Sequence, residues 1–511
     1  MRYIFLAVFA GLTVLVSAQN VGIGTTTPHS SALLDMQSTS KGVLVPRVAL
    51  SALNSSSPVT APADALLIFN TATAGSGINA VRPGFYYWRA SDSRWIAATD
   101  NGKGEDIGYG PWGEVDAPAK IGGFAPVSPS APESYDHFGQ SVSISGNYAI
   151  IGAYSDDNGM NTDQGAAYIF FFNGETWKEQ QKLRASDGKP LDFFGSGVAI
   201  SGDYAIVGAK QARVNGNAHQ GAAYIYHYNG SSWIEQQKLL ASDGAAEDFF
   251  GISVDISSSL SGNYAIVGAY LHNTAGITDR GAAYIYSLNG SNWLFQQQIV
   301  ASNGAVADLF GYSVSISGSK AMVGAPLANI DGYEDCGYAY IYSFNGIVWK
   351  EQQILHSVFI GSLNGLTSDH FGSSVCIADS YAIAGGDWIN KEKGSALVFL
   401  FDGTSWNQMT RILPTDLTAG DHFGSSVAIA GNFLIVGAVT RDVGTNVDQG
   451  AAYIYQNMSG TWTLLQKITI PSGKPGDMFG ISSGINAGRF VIGAIGRPSA
   501  QEGMSFFGKI Y

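Results

Sequence analysis

One phrase recurs through this chain and limits what it can fold into. Asp-x-Phe-Gly appears with its Phe at 138, 194, 250, 310, 371, 423 and 479, so successive copies lie 56, 56, 60, 61, 52 and 56 residues apart. Its framework residues are Asp136, Phe138 and Gly139 in the first copy, Asp192, Phe194 and Gly195 in the second, and Asp248, Phe250 and Gly251 in the third. Asp308, Phe310 and Gly311 follow, then Asp369, Phe371 and Gly372, Asp421, Phe423 and Gly424, and Asp477, Phe479 and Gly480. A regular period of this length marks a repeat architecture, in which one small unit cannot bury its apolar faces alone and stacks on its neighbours.

Each copy reads as four short strands. The first alternates after Phe-Gly, as in Ser141-Val-Ser-Ile144, and the second is Tyr148-Ala-Ile-Ile-Gly-Ala153. The third is Gly165-Ala-Ala-Tyr-Ile-Phe170, and the fourth opens on a Trp and runs through Gln-Gln-Lys-Leu, as in Trp177 to Leu183. Ser-Gly-Asn separates strands one and two, and Asn-Gly with one or two further residues separates three and four. Asn-Gly between alternating runs is a strong hairpin signal, so each copy is a four-stranded antiparallel meander. A single sheet of this kind has two apolar faces and needs cover on both. Radial stacking supplies it, at about 25 cal/mol per Å² of apolar area removed from water, and gives a β-propeller. A linear stack would need polar end caps, which the sequence does not show.

Ring closure should leave its own trace. Trp opens the fourth strand at 177, 233, 293, 349, 406 and 462, but the seventh copy ends at Tyr511 without one. Trp112, with Ala119-Lys-Ile121, is the expected source of the missing strand. The expected fold class is therefore all-β: a seven-bladed propeller over residues 136–511, latched by a segment from the linker at 102–135. Within that linker, Pro126 to Pro132 and the Gly-rich stretch 102–110 read as irregular chain.

Residues 1–18 read as an export signal, with Arg2, an apolar run from Ile4 to Val16, and small residues at Val16-Ser17-Ala18. An uncleaved anchor is the alternative, although the run is short for a bilayer. The mature protein should start near Gln19 and act outside the cytoplasm or at the cell surface. The formal net charge is −13, with no Lys/Arg run, which argues against nucleic acid and anionic membranes as partners. Cys336 and Cys376 fall at non-equivalent places in their repeats, so two separate thiols are expected rather than a bridge.

Residues 19–101 form a separate β-rich region. Its landmarks are Asn20-Val-Gly-Ile-Gly-Thr-Thr-Thr-Pro28 and Gly84-Phe-Tyr-Tyr-Trp88, followed by Arg94-Trp-Ile-Ala97. This stretch resembles N-terminal modules of secreted bacterial proteins and phage tail-fibre-like pieces. The resemblance implies a stalk or attachment module, sometimes trimeric; a passive spacer is the other reading. The repeats resemble the FG-GAP family of integrin α-subunit propellers and secreted bacterial proteins. The matching residues are Phe-Gly at every opening and Gly-Ala at 152, 208, 268, 324, 437 and 493, with Gly385-Gly in the fifth copy. That resemblance implies a seven-bladed propeller used in recognition or adhesion. Integrin-type repeats often carry a calcium loop between strands one and two. Here only Ser145-Gly-Asn147, Ser201-Gly-Asp203 or Ser317-Gly-Ser319 stands there, so the family's calcium sites are expected to be lost and no cofactor is expected.

The Asp of each Asp-x-Phe-Gly could form a carboxylate ring around a channel, but equivalent Asp residues suit a turn device better, accepting an N–H two residues on. His137, His370 and His422 alternate with Phe193, Phe249, Leu309 and Met478 at the x position, which suggests packing. Asp156-Asp-Asn-Gly159 with Asp163, and Asp331 to Asp335, are loose calcium-loop look-alikes without EF-hand spacing. The meander places the loops between strands two and three at the same end as those entering the next blade. These are long and differ between blades, and variable loops on a rigid scaffold commonly carry function. Candidate partner-binding residues on that face are Asp157, Asp163, His219, Asp279, Arg280, Asp335, Trp388, Arg441 and Asp448. The expectation is a non-enzymatic protein that binds a protein or glycan, and oligomerises if the N-terminal module does. A structural surface or fibre component is one alternative. A propeller hydrolase or lyase is another, and it would need unlike acid, base or metal groups gathered at one channel mouth.

Overall fold

In a computed structural model the chain is all-β and forms two compact units, residues 1–104 and 105–511. The structure describes residues 21–23, 34–36, 45–97 and 121–510, except 65, 75–80, 82, 90–93, 131–134, 260–261, 331, 357–368, 389–392, 459 and 497–502. The export signal and Trp112 lie outside the described residues.

In the first unit, Leu67–Asn70 pairs parallel with Arg47–Val48 and antiparallel with Gly84–Arg89, which pairs in turn with Arg94–Ala97. Trp88 faces Trp95 across the hairpin with ring centroids 5.2 Å apart. Both rings join a small core with Leu50, Leu53, Ile68, Val81 and Tyr86.

Among its described residues the second unit contains seven four-stranded antiparallel sheets, six of them meanders and the seventh completed by a strand from ahead of the first blade. Blade one consists of Ser141–Ser145, Tyr148–Ala153, Ala166–Phe172 and Trp177–Leu183. Blade two consists of Phe194–Ser201, Tyr204–Ala209, Ala222–Tyr228 and Trp233–Leu239. The next five repeat this order, opening on Val254–Ser259, Ser313–Ser317, Phe371–Ala378, Phe423–Ala430 and Ser483–Asn486. The first strands neighbour one another around the ring, and the Trp strands lie on the outside.

Apolar cores lie between blades rather than within them. One holds Ile150, Ile169 and Leu183 of blade one against Phe194, Val207, Tyr224 and Trp233 of blade two. The joint from blade seven to blade one is built alike, with Val491 and Phe507 against Phe138, Tyr168 and Phe170. There Trp177 stacks on Phe507 at 4.1 Å, and Ser482 donates to the Gly139 carbonyl at 2.7 Å. The ring is closed.

The repeated glycines are explained at these joints. A Cβ on Gly152 would run into the carbonyl oxygen of Gly195 in the next blade. The same close approach pairs Gly208 with Gly251, Gly268 with Gly311 and Gly324 with Gly372. It continues with Gly385 and Gly424, then Gly437 and Gly480, and returns to the start with Gly493 and Gly139. Phe-Gly of one repeat and the Gly that ends strand two of the repeat before it are thus the two halves of one contact. This also explains why Gly385-Gly is tolerated in the fifth copy, since the first glycine of the pair makes the approach.

The latch differs from expectation in its position. The outer strand of blade seven is Ile121–Val127, antiparallel to Met504–Ile510, with Ile121 opposite Ile510. In blade one Trp177 stands opposite Phe172 at the equivalent place, so Ile121 takes the Trp position. Part of the stretch that reads as linker is therefore strand. Pro126 is accommodated because an outermost strand has one edge without a ladder partner.

Candidate functional site

First strands pointing at one axis leave backbone N–H groups facing a neighbour rather than a ladder, and each needs an acceptor. Alternating serines provide it. Ser141, Ser143 and Ser145 accept from the N–H groups of Val198, Ile200 and Gly202 at 3.0, 3.2 and 3.2 Å. Another ring of hydroxyls donates inward to the Phe-Gly glycines: Ser253 to Gly311, Ser313 to Gly372, Ser374 to Gly424 and Ser426 to Gly480, at 2.7–2.8 Å. The central channel, a cavity of about 360 Å³, is lined by serines that include Ser141, Ser253, Ser313, Ser374 and Ser426 and by Val142, Val198, Val254, Val314, Val375 and Val427. Most of its serine hydroxyls are committed to the scaffold, but those of Ser425 and Ser483 have no partner among the described residues, so the channel wall as well as the rim offers polar contacts.

The rim is unlike the repeats below it. It is formed by the x residues of Asp-x-Phe-Gly and by the residues just after Gly-Ala, and both vary. The x residues His137, Phe193, Phe249, Leu309, His370, His422 and Met478 all have left-handed backbone, with φ between 50° and 61°. They are half-buried at the mouth rather than in the inter-blade core. His137 stacks on Tyr154 at 4.8 Å, Phe193 meets Tyr154 edge-on at 5.4 Å, and Phe249 lies 5.7 Å from Tyr270. Tyr270 continues to Tyr312 at 5.8 Å. Lys210 extends over Tyr154 and Phe193, 5.2 and 5.8 Å from the ring centroids. Among the described residues no carboxylate pairs with it, and burial pushes its ammonium below the usual lysine range.

Blades five and six present a different surface. Asp387 lies 3.9 Å from His370 Nδ1, and its Oδ1 is buried without a hydrogen bond among the described residues. Burial raises its carboxyl above the ordinary range, against the pull of His370 and His422. Burial likewise depresses the His370 imidazolium, with Asp387 and Asp335 pulling the other way. Trp388, 40% exposed, lies 4.9 Å from His370 and 5.7 Å from His422. Unlike groups thus meet at the joint of blades five and six, where the sequence shows only equivalent ones. The signal was present in the residues after the strand-two glycine pair: Tyr154, Lys210, Tyr270, Pro326, Asp387, Val439 and Ile495 change while the framework does not.

The candidates on the long loops have different roles. Asp163, His219, Asp279, Asp335 and Asp448 share a left-handed φ of 50–54°. Their carbonyls receive the N–H of Phe193, Phe249, Leu309, His370 and Met478 in the following blade. The N–H groups of Asp163, Asp279, Asp335 and Asp448 bind Asp157, Asn273, Asn329 and Asp442 side chains at 2.8–3.0 Å. These residues clasp blade to blade through their backbones. His219 also meets Glu247 at 3.0 Å. Arg280 reaches the Ala301 carbonyl, and Arg441 is paired with Asp421 and Asp416. Among the nine, Trp388 packs on the rim residues His370 and His422, and His219 lies 5.7 Å from the rim residue Phe249.

Further expectations concern the framework Asp, the calcium-like loops and the cysteines, and the first needs adjustment. The Asp of Asp-x-Phe-Gly is a turn device, but it reaches backwards: Asp192, Asp248, Asp308, Asp421 and Asp477 accept the N–H three residues earlier at 2.6–2.8 Å. Its carboxylate is buried in that turn and not in the channel. In the loop from Asp156 to Asp163, Asp156 is ion-paired with Lys182 and Arg184 at 2.6 Å and receives the Tyr168 hydroxyl. Asp331 lies outside the described residues, and no group of three metal-ligating side chains occurs among those described. Cys336 and Cys376 are free thiols.

Comparison with protein families agrees with this geometry. A model described as FG-GAP repeat matches residues 125–170, 177–226, 233–286, 293–342 and 406–455. These are FG-GAP repeats. In the last four matches the unit begins at or beside the Trp and ends in the third strand of the following blade, so one FG-GAP repeat straddles a joint. A second model, phage tail like trimerisation region, matches residues 22–107. No curated protein matches the chain. FG-GAP repeats are typical of extracellular proteins, and no helix among the described residues is long and apolar enough to cross a membrane.

Proposed function

We propose that this FG-GAP propeller is an exported, non-enzymatic recognition protein that binds a protein or glycan partner through its long-loop face and channel mouth. The observation that carries the reading is the contrast between the two ends of the ring. One end is closed by turns such as Gly146-Asn147 between Ser141–Ser145 and Tyr148–Ala153. The other carries the long loops and the unlike rim residues; exposed apolar side chains occur at both ends, at Met160, Leu191, Val306 and Val447 here and at Ile347 among the short turns. Large apolar side chains exposed on a rigid rim are what an interaction surface offers. Closure fixes the loop geometry in advance, so little ordering entropy is lost on binding. The carboxylates of the calcium-like loop are already used in ion pairs and loop closure, which favours recognition without calcium.

The N-terminal unit fits this reading as an assembly device. Three chains joined there would present three propellers, and linked weak sites gain avidity without any new contact. Light scattering of the mature chain and of residues 119–511 should give a trimer and a monomer.

The test of the recognition reading is a panel of glycans and surface proteins, probed with the mature chain and with variants whose loops 156–163 and 442–448 are replaced by Gly-Ser of equal length. Loss of signal in folded loop variants is expected. Retention of every signal in variants covering all the long loops would overturn the reading.

A further inference from the structure

The long loops of blades one, two, three, four and six close on one equivalent residue, the third after the Ala that ends strand two: Asp156, Ala212, His272, Ala328 and Arg441. Its N–H donates to that Ala carbonyl at 3.0–3.3 Å, and its own carbonyl receives the N–H of the Gly just before strand three at 2.8–3.0 Å. The side chain at this place decides how the loop base is tied to the ring. In blade six Arg441 pairs with the framework Asp421 and with Asp416, and Lys467 adds a second cation to Asp416 at 2.7 Å. In blade three the same seat holds His272, buried between the equivalent carboxylates. Its Nδ1 lies 2.9 Å from Asp248 and its Nε2 lies 3.3 Å from Asp243.

Among the described residues no Lys or Arg pairs with either carboxylate. Asp248 also accepts the Ala245 N–H at 2.7 Å. Asp243 also accepts the Tyr284 hydroxyl at 2.7 Å and the Gln298 amide at 3.0 Å. Gln298 stands where blades two and six have Lys238 and Lys467. The Tyr284 ring meets the imidazole edge-on at 6.0 Å. Of the loop's own charges, Asp279 acts on Tyr270, and Arg280 acts on Asp308 and the Ala301 carbonyl. Only an imidazolium donates from both ring nitrogens; the neutral ring donates from one and turns a lone pair on the other carboxylate. Burial disfavours the charged ring, but Asp248 and Asp243 outweigh it and raise its pKa above the usual 6.5. Stability held by this seat is therefore complete below pH 6.5 and is lost as pH rises through the raised value.

We propose that His272 is a pH-sensitive tie: protonated, it fastens the base of the 272–281 loop to the ring through Asp248 and Asp243, and on losing its proton it loosens that loop while the Arg441-tied loop of blade six stays fixed. Because the loop belongs to the long-loop face, partner binding through it is stronger in mildly acidic surroundings. That consequence rests on the recognition reading, whereas the tie itself does not.

The test is amide hydrogen exchange on the mature full chain, expressed as protection factors at about pH 5.5 and about pH 8.5, on either side of the expected titration. Gly281 and Ile277, whose N–H groups bond within the blade-three loop, should lose protection roughly tenfold between the two, the change that one pKa unit gives. Gly450 and Asn446, their equivalents in blade six, should not change. The His272 ring resonances should titrate above about 6.5. His272→Arg, which copies blade six, should keep the loop protected at both pH values. His272→Gln should lower protection and remove its pH dependence. Equal protection of the blade-three loop at both pH values, an equal fall in the blade-six loop, or a His272 ring that titrates below about 6.5 would each overturn the tie. Exchange and titration in the unmodified protein decide the matter even if a variant fails to fold. Should exchange show no switch while loop replacement still removes the panel signals, the tie falls and the recognition reading stands. Panel signals indifferent to every loop, with exchange still switching, would remove the recognition reading and leave the tie.

Discussion

At the scale of single residues, the chain separates glycines that the ring requires from glycines that a turn merely prefers. Gly195 has φ +97°, and a Cβ there would strike the Ala166 carbonyl oxygen of the preceding blade. Gly174 has φ +103° with nothing within 4 Å of its missing Cβ. Gly195→Ala should therefore cost about 3 kcal/mol or more, and Gly174→Ala only about 1 kcal/mol, measured by chemical denaturation. Asp255 offers a test with pH. It takes the place that Ser143 holds in blade one, accepting the Ile316 N–H at 2.7 Å, and burial pushes its carboxyl up to about 6. Because the folded value lies above the unfolded one, ionisation disfavours the fold, and stability is lost as pH rises from about 4 through about 6. Asp255→Ser should stabilise by about 1–2 kcal/mol at pH 7 and show little advantage near pH 4, read from denaturation midpoints across that range. Asp, Phe and Gly were legible from the sequence because they recur. Lys210 and Asp387 were not, because each occurs once, and only the folded joints set Lys210 against Phe193 and Asp387 beside His370.

Among the strands, the Gln-Gln of the Trp strand has a definite task. The second Gln side chain presents its amide to the next blade as a third peptide group would. Gln237 donates to the Trp293 carbonyl at 2.7 Å and accepts its N–H at 2.8 Å, and Gln181, Gln297 and Gln353 treat Trp233, Trp349 and Trp406 alike. Thr410 stands at this place between blades five and six and is too short to span. Gln237→Ala should lose about 1–2 kcal/mol, whereas Thr410→Gln should gain about 1 kcal/mol, both visible as shifts in denaturation midpoint. The meander itself was readable from Ser-Gly-Asn and Asn-Gly turns. The position of the latch was not, since Ile121-Gly-Gly-Phe-Ala-Pro-Val127 lacks the Trp and Gln signature and contains Pro126. Its strand character comes from the exposed edge of Met504–Ile510 and from Phe124, which stacks on Phe506 at 5.1 Å.

For the molecule as a whole, stability depends on a circle of joints that are individually similar. Removing residues 121–127 should leave six complete blades and one open sheet edge, with lower and broader thermal unfolding than residues 119–511. An unchanged transition would show that the latch contributes little. The pairing of Ile121 with Ile510 also bears on how the protein is made. Synthesis releases the latch ahead of every blade and its mate after six of them, so a nascent propeller has two wet flanks until that mate emerges. Contacts so distant in sequence form slowly. A stalled or clipped polypeptide is consequently left as an unsealed crescent, open to proteases and to strand exchange with a sister copy.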